Sequence, residues 1–144
     1  MIQNLDFVGA LGVPIANADG VYINMALCTA VTFICYEADG STIATLTEAT
    51  DAAGTGAVGL SRIDRVYKAP GAGGTFTEVT QTAASTYDNA DDTTNNAVTF
   101  TVRSVDLSDG FTHVGVAVDG GTVTAITHGL IHATAADQAA NPVS

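Results

Sequence analysis

The sequence predicts an all-β protein, either an antiparallel β-sandwich or a jelly-roll-like barrel of about eight strands. Three observations predict this class. Thr, which favours strands, contributes 21 of the 144 residues. Short apolar runs alternate with polar residues at the period of two that is typical of strands. Gly-rich and Asp-Gly segments separate these runs, and the 3.6-residue apolar spacing of amphipathic helices is missing. The length predicts a single domain spanning residues 1–144.

The first half of the chain contains one segment that predicts a central strand. Residues 31–37 place Val31, Phe33 and Cys35 on one face, and the other face is also partly apolar. Residues 1–20 are interpreted as an N-terminal arm and loop. The strands expected in this half are residues 5–8, 21–27, 31–37 and 43–48.

The second half has the clearest strand patterns. Residues 82–96 are polar and acidic, and this predicts a long exposed loop. Asp119-Gly120-Gly121 stands between two Val-rich runs, which predicts a β-hairpin. Residues 133–144 lack periodicity and are expected to form a C-terminal tail. The strands expected in this half are residues 60–67, 76–81, 98–105, 111–118 and 122–131.

The charge composition disfavours several classes of partner. Fifteen Asp and Glu against four Lys and Arg give a net charge of −11. Because a phosphate-binding surface needs clustered cations, no nucleic-acid partner is expected, and an anionic membrane surface is disfavoured for the same reason. The most apolar stretch, residues 21–36, is shorter than the roughly 20 residues that span a bilayer. No membrane partner is therefore expected.

No residue pattern predicts an active site, so the chain is not expected to be an enzyme or to bind a cofactor. None of the serines lies in a Gly-x-Ser-x-Gly motif. The Gly-rich segment at residues 71–74 is not followed by the Lys-Ser/Thr pair of a phosphate-binding loop.

Two groups of potential metal ligands are interpreted as structural. On a strand, His128 and His132 would lie about 13 Å apart, too far for one ion. His113 is expected to approach His128 across the predicted hairpin, but two histidines without a third ligand are weak support for a zinc site. The acidic residues of the 82–96 segment lack the calcium-loop pattern and are interpreted as a solvated loop. These acidic residues are Asp88, Asp91 and Asp92.

The two cysteines, Cys28 and Cys35, are predicted to be reduced core residues. Their odd separation would place them on opposite faces of one strand, more than about 20 Å apart. A disulfide needs Cα atoms within about 7 Å, and the intervening residues contain no turn former.

Three of the four cations lie close together in the sequence. Arg62, Arg65 and Lys68 fall within seven residues of one another. Two interpretations remain open: a solvated strand edge with one intramolecular ion pair, or a contact with an acidic partner surface.

The N-terminal arm is a second possible partner contact. Ile2, Leu5 and Phe7 are apolar residues near the chain end. Such an arm is able to add a strand to a partner's sheet edge or to close the sheet of its own domain.

The central part of the chain resembles the small decoration, or cement, proteins of tailed bacteriophage capsids. The resemblance rests on VTFICYEADG from Val31, the later GGTFT segment from Gly73, and DLSDGFTHVGVAV from Asp106. It implies a β-sandwich or jelly-roll-like virion protein that stabilises the capsid exterior. The implied partners are the assembled major capsid protein and further copies of the chain, as a dimer or trimer at a symmetry axis.

Two alternatives to this function remain. One is another virion component, a tail-tube or head-fibre subunit. The other is a carbohydrate- or ligand-binding β-sandwich module, although the absence of Trp and the presence of only four Tyr supply few stacking residues.

Overall fold

A computed structural model describes residues 15–38, 42–71, 73–89 and 92–129. Within these ranges the chain contains eleven β-strands and one short 3₁₀ helix, Ser104–Asp106. The strands are β1 (Ile15–Ala16), β2 (Ile23–Asn24), β3 (Ala30–Tyr36), β4 (Ile43–Ala49), β5 (Val58–Gly59), β6 (Ile63–Ala69), β7 (Thr77–Ala84), β8 (Thr86–Asp88), β9 (Ala97–Arg103), β10 (His113–Val118) and β11 (Thr122–His128).

The strands form two antiparallel sheets that pack face to face as a β-sandwich. The six-stranded sheet has the order β1-β11-β3-β9-β6-β7. The five-stranded sheet has the order β2-β10-β4-β5, and β8 pairs with the same edge of β4. The predicted all-β class and sandwich architecture are confirmed. The strand number exceeds the predicted eight because β1, β5 and β8 are only two or three residues long and carry little periodic signal.

The core lies between the two sheets and follows the predicted alternation. Val31, Phe33 and Cys35 of β3 are fully buried. Phe33 packs against Phe100 of the neighbouring strand β9, with ring centroids 5.9 Å apart. The second sheet contributes the buried Leu46. Strand β3 is flanked by β9 and β11, so the prediction that it is a central strand is correct.

The hairpin predicted at Asp119-Gly120-Gly121 is wrong, because β10 and β11 belong to different sheets. This segment connects the sheets, and the backbone N–H of Ile43 donates to Asp119 Oδ1 at 2.6 Å. Gly121 has φ +83°, and a Cβ at this position would lie 2.1 Å from the carbonyl oxygen of Tyr36. Local turn signals cannot distinguish a hairpin from a sheet-to-sheet connection, since both need Gly at a tight bend.

The long exposed loop predicted at residues 82–96 is also wrong over its first half. Strand β7 continues to Ala84, and β8 follows at Thr86–Asp88. Tyr87 and Asn89 are 7% and 2% exposed. The sequence did not predict β8 because this strand is polar and buries only one apolar side chain, Tyr87, against β4.

The first part of the described chain also differs from the prediction. Only Ile23–Asn24 of residues 21–27 is a strand, because Asn24 Oδ1 accepts a hydrogen bond from the Ala26 N–H at 2.9 Å and turns the chain. Ile15–Ala16 pairs with β11, so residues from 15 onward belong to the sandwich and not to a separate arm. No described segment forms a helix with the length and apolar character needed to cross a membrane.

Candidate interaction site

Strands β6 and β7 form a hairpin at one edge of the six-stranded sheet. The connecting segment begins at Pro70, whose carbonyl oxygen accepts hydrogen bonds from the N–H groups of Gly73 and Gly74 at 3.2 and 3.3 Å. Gly73 has φ +96°, a conformation that glycine adopts without steric cost. The Gly-rich segment therefore closes the hairpin between β6 and β7. Its sequence predicts no phosphate-binding loop.

Strand β6 of this hairpin belongs to the core, whereas β7 lies at its margin. Strand β6 buries Ile63 and Val66, and Val79 of β7 packs against the core opposite Val66. Most of the other β7 side chains are exposed. Among the described residues, β7 pairs with β6 alone, so its outer edge is the end of the sheet. A strand this exposed contributes little to its own core.

Aromatic side chains gather on the outer face of the sheet beside this hairpin. Tyr36, Tyr67 and Phe76 are 41%, 38% and 52% exposed. Tyr36 and Ala69 both lie opposite Ala97 of β9, so they occupy the same row across the sheet. Phe76 directly precedes β7, at the end of the hairpin connection. We call Tyr36, Arg65, Tyr67 and Phe76 the outer-face patch.

Glu78 connects two members of the outer-face patch. The Tyr67 hydroxyl donates to Glu78 Oε2 at 3.0 Å, and Arg65 Nε lies 3.7 Å from Glu78 Oε1. The Arg65 and Glu78 side chains are 58% and 45% exposed. Exposed ion pairs of this kind contribute little to stability. Because most of the Arg65 side chain is exposed, its guanidinium is accessible to a partner.

The other two clustered cations are held by nearby segments. Arg62 Nε donates to the Asp106 carbonyl oxygen at 3.2 Å, although the residue as a whole is exposed. Lys68 Nζ donates to the Asp92 carboxylate and, at 3.0 Å, to Asn89 Oδ1. The Lys68 side chain is only 15% exposed. The structure therefore separates the three: Arg65 faces solvent, Arg62 lies against the 3₁₀ helix, and Lys68 anchors a loop.

Lys68 connects strand β6 to the acidic loop before β9 through its hydrogen bond to Asp92. Lys68 donation, with that of Asn95, holds the pKa of the Asp92 carboxyl well below its usual range. A surface hollow of about 420 Å³ is lined by Lys68, Asp88, Asn89 and Asp92. Asp91 lies outside the described residues, and within them no three His, Cys, Asp or Glu side chains are placed to hold a metal ion.

The histidines lie on different sheets. His113 belongs to β10 and contacts Thr112 Oγ1 at 2.8 Å, whereas His128 of β11 contacts Thr32 Oγ1 at 2.8 Å. Burial lowers the pKa of both imidazoles. The expected approach of His113 to His128 is wrong, because it assumed that β10 and β11 form a hairpin. His132 lies outside the described residues.

Both cysteines are free and buried, as their spacing predicted. Burial raises the pKa of Cys28 to about 11 and that of Cys35 to about 12. A thiol with so high a pKa is a poor nucleophile at neutral pH.

Sequence reasoning identified Arg65 but missed the aromatic residues of the outer-face patch. Ile2, Leu5 and Phe7, the other proposed contact residues, lie outside the described residues. One sequence signal was available for Tyr67. It lies two residues after Arg65 on β6, and residues two apart on a strand lie on the same face. The sequence does not indicate that β6 lies two strands from β3, and this neighbourhood brings Tyr36 to the same face.

Searches against protein-family models, curated proteins and solved structures return no match to this chain. The fold and the exposed hairpin define a β-sandwich with a candidate protein-contact surface.

Proposed function

We propose that this chain is a structural virion protein that decorates and stabilises the exterior of a tailed-bacteriophage capsid. The sequence resemblance suggests this class. The outer-face patch is the structural observation that carries the proposal. Its ligand is the assembled major capsid protein, and the decorating unit is a dimer or trimer of this chain.

The chemistry of the outer-face patch suits a protein surface. Tyr and Arg are the residue types that dominate binding energy at protein interfaces, since they combine a large apolar area with directional hydrogen bonding. Tyr36, Tyr67 and Phe76 supply the apolar area, and Arg65 supplies an exposed charge. Strand β7, most of whose side chains are exposed, is available for this purpose.

The charge distribution favours the same surface. Residues 61–84 contain three cations and two carboxylates and are net +1, while the rest of the chain carries −12. Lys68 is paired with Asp92, so the exposed charges of this segment, two cations and two carboxylates, balance. An acidic capsid exterior would therefore repel the hairpin less than the rest of the molecule. A difference of this kind selects the docking orientation.

The first experiment measures the copy number of the chain in purified particles of the virus that encodes it. Gel densitometry against the major capsid protein gives the ratio. A ratio near one, or a fixed simple fraction of one, supports decoration of the lattice. A few copies per particle would favour the tail-tube or head-fibre alternative, and complete absence from the particles would overturn a virion function.

The second experiment tests the outer-face patch directly. Purified protein is added to mature capsids that lack it, and bound protein is measured after sedimentation. Arg65→Glu and Tyr67→Ser are expected to weaken binding by about tenfold each, the loss typical of an interface hot spot. Val105→Ser is the matched control, because Val105 is 77% exposed and lies in the 3₁₀ helix, outside the patch. Equal effects of all three variants would reject the patch.

A carbohydrate- or ligand-binding module is the second candidate, and the same aromatic residues favour it. Exposed rings on a sheet face provide stacking surfaces for the apolar faces of sugars. Glycan-array binding that Tyr67→Ser removes, together with no binding to capsids, would support this candidate over decoration.

A further inference from the structure

The outer edge of β7 is an unusual feature for a monomer. Proteins commonly protect a sheet edge with Lys, Pro or a very short strand, because exposed N–H and C=O groups attract other strands. Strand β7 is eight residues long and contains neither Lys nor Pro. Its single charged residue is Glu78. At the other edge of the same sheet, β1 has only two residues.

An irregularity leaves part of β7 with fewer internal partners. Ile63 lies opposite Ala84 and Arg65 opposite Thr80, so residues 81–83 face the single residue Asp64. The Gln81 side chain spans this region by donating to the carbonyl oxygens of Ile63 and Thr86 at 2.8 and 2.9 Å. Residues 81–83 therefore have no one-to-one register partners on β6.

We propose that β7 pairs antiparallel with β7 of a second copy, joining the two six-stranded sheets about a two-fold axis at Thr80. In this register Thr80 faces Thr80 of the other copy, and Glu78 faces Thr82. No like charges lie opposite each other, and the threonine hydroxyls form cross-strand pairs that stabilise sheets. The interface is isologous, as a closed dimer requires.

Charge explains why a second copy approaches at this edge. Two molecules of net charge −11 repel each other over most of their surface. In the hairpin segment, residues 61–84, Lys68 is paired with Asp92 and the exposed charges balance, so this repulsion is weaker there than over the rest of the surface. The inference specifies the dimer of the proposed function, and its test concerns the strand edge alone, so a monomeric chain would overturn it without excluding capsid binding.

Cysteine cross-linking of the full-length chain tests both the dimer and its register. Directly opposed residues have Cα atoms about 4.5–5.5 Å apart, within the range of a disulfide. Thr80→Cys is therefore expected to form a covalent dimer under mild oxidation. Thr82→Cys is the matched control, since its two copies would lie about 13 Å apart along the paired strands. The native thiols are buried and do not compete.

Sedimentation velocity measures the same association without oxidation. The wild-type chain is expected to be a concentration-dependent dimer, and Thr80→Lys, which places two ammonium groups together, is expected to weaken it about threefold or more. Ala52→Lys adds the same charge on an exposed loop outside β7 and is expected to leave the dimer intact or strengthen it.

Three outcomes would overturn the proposal. The first is a wild-type chain that remains monomeric, as expected if other residues of the same chain cover the edge. The second is a covalent dimer with Thr82→Cys but not with Thr80→Cys. The third is a dimer that Thr80→Lys does not weaken, which would place the contact on another surface. Thermal melting of each variant confirms that the hairpin remains folded.

Discussion

The Lys68 ammonium donates a hydrogen bond to the Asp92 carboxylate and thereby fastens the loop before β9 to strand β6. Asp92 also accepts hydrogen bonds from the N–H groups of Thr94 and Asn95, at 3.1 and 3.0 Å. Sequence analysis left open whether Lys68 contacts a partner or forms an intramolecular ion pair, and the structure shows the ion pair. The pairing connects the acidic loop to the six-stranded sheet.

Replacing Asp92 by Asn is expected to destabilise the protein in a pH-dependent way. The folded-state pKa of Asp92 lies below its unfolded value of about 3.9, so its stabilising contribution is fully present above that pH. We expect Asp92→Asn to lower the free energy of unfolding by about 1–3 kcal/mol at pH 7. The difference from wild type should shrink as the pH falls below about 4.

Urea denaturation at pH 7 and at acidic pH measures this difference. The exposed Asp109→Asn variant serves as the control, because it removes a carboxylate with no hydrogen-bonded cation among the described residues. A loss for Asp92→Asn that stays constant across the pH range would contradict the assignment.

The connection between the two sheets should be sensitive to a methyl group at Gly121. Gly121→Ala adds a Cβ that would lie 2.1 Å from the Tyr36 carbonyl oxygen, in a backbone conformation with φ +83°. We expect a loss of about 3 kcal/mol or more. Gly110→Ala isolates the conformational part, because Gly110 has φ +86° and no atom within 4 Å of the added Cβ. That control should cost about 1–2 kcal/mol, and thermal or chemical unfolding compares the two variants.

Two phenylalanines provide a test of where the core ends. Phe33 is fully buried against Phe100, whereas Phe76 is 52% exposed beside the hairpin. Phe33→Ala should cost about 3–5 kcal/mol, because it removes a buried ring and leaves a cavity. Phe76→Ala should change stability by no more than about 0.5 kcal/mol. Similar losses for both variants in chemical denaturation would mean that the hairpin connection around Phe76 is part of the cooperative core.

The two thiols should be unreactive in the folded protein. Burial raises the pKa of Cys28 to about 11 and that of Cys35 to about 12, so almost no thiolate exists at pH 8. Labelling with a thiol reagent at pH 8 should be negligible without denaturant and should reach two thiols per chain in its presence. Rapid labelling of either thiol in the native state would contradict its burial.

The sequence predicted the individual long strands well because each contains its own alternation. Strands β3, β4 and β9 lie within a residue or two of the predicted ranges, and Val31, Phe33 and Cys35 share the buried face. The short strands β1, β5 and β8 were not predicted. Two or three residues contain no periodic pattern, and pairing with a longer neighbour decides that they are strands.

The candidate site was predicted only in part, because it also depends on which strands become neighbours. Arg62, Arg65 and Lys68 are neighbours in sequence, and the structure directs them to three different environments. Lys68 lies opposite Val98 of β9 at the margin of the core, which brings its ammonium to Asp92 and not to solvent.

The amino-acid sequence by itself determined that this chain is an acidic all-β protein, a sandwich or a jelly-roll-like barrel, with buried thiols. These properties follow from composition and from the alternation within single strands. Only the tertiary structure decided that β10 and β11 lie in different sheets, that β8 is a strand, and that Tyr36 joins the hairpin on one face. Those features depend on contacts between residues far apart in the chain, and no local pattern encodes which strands become neighbours.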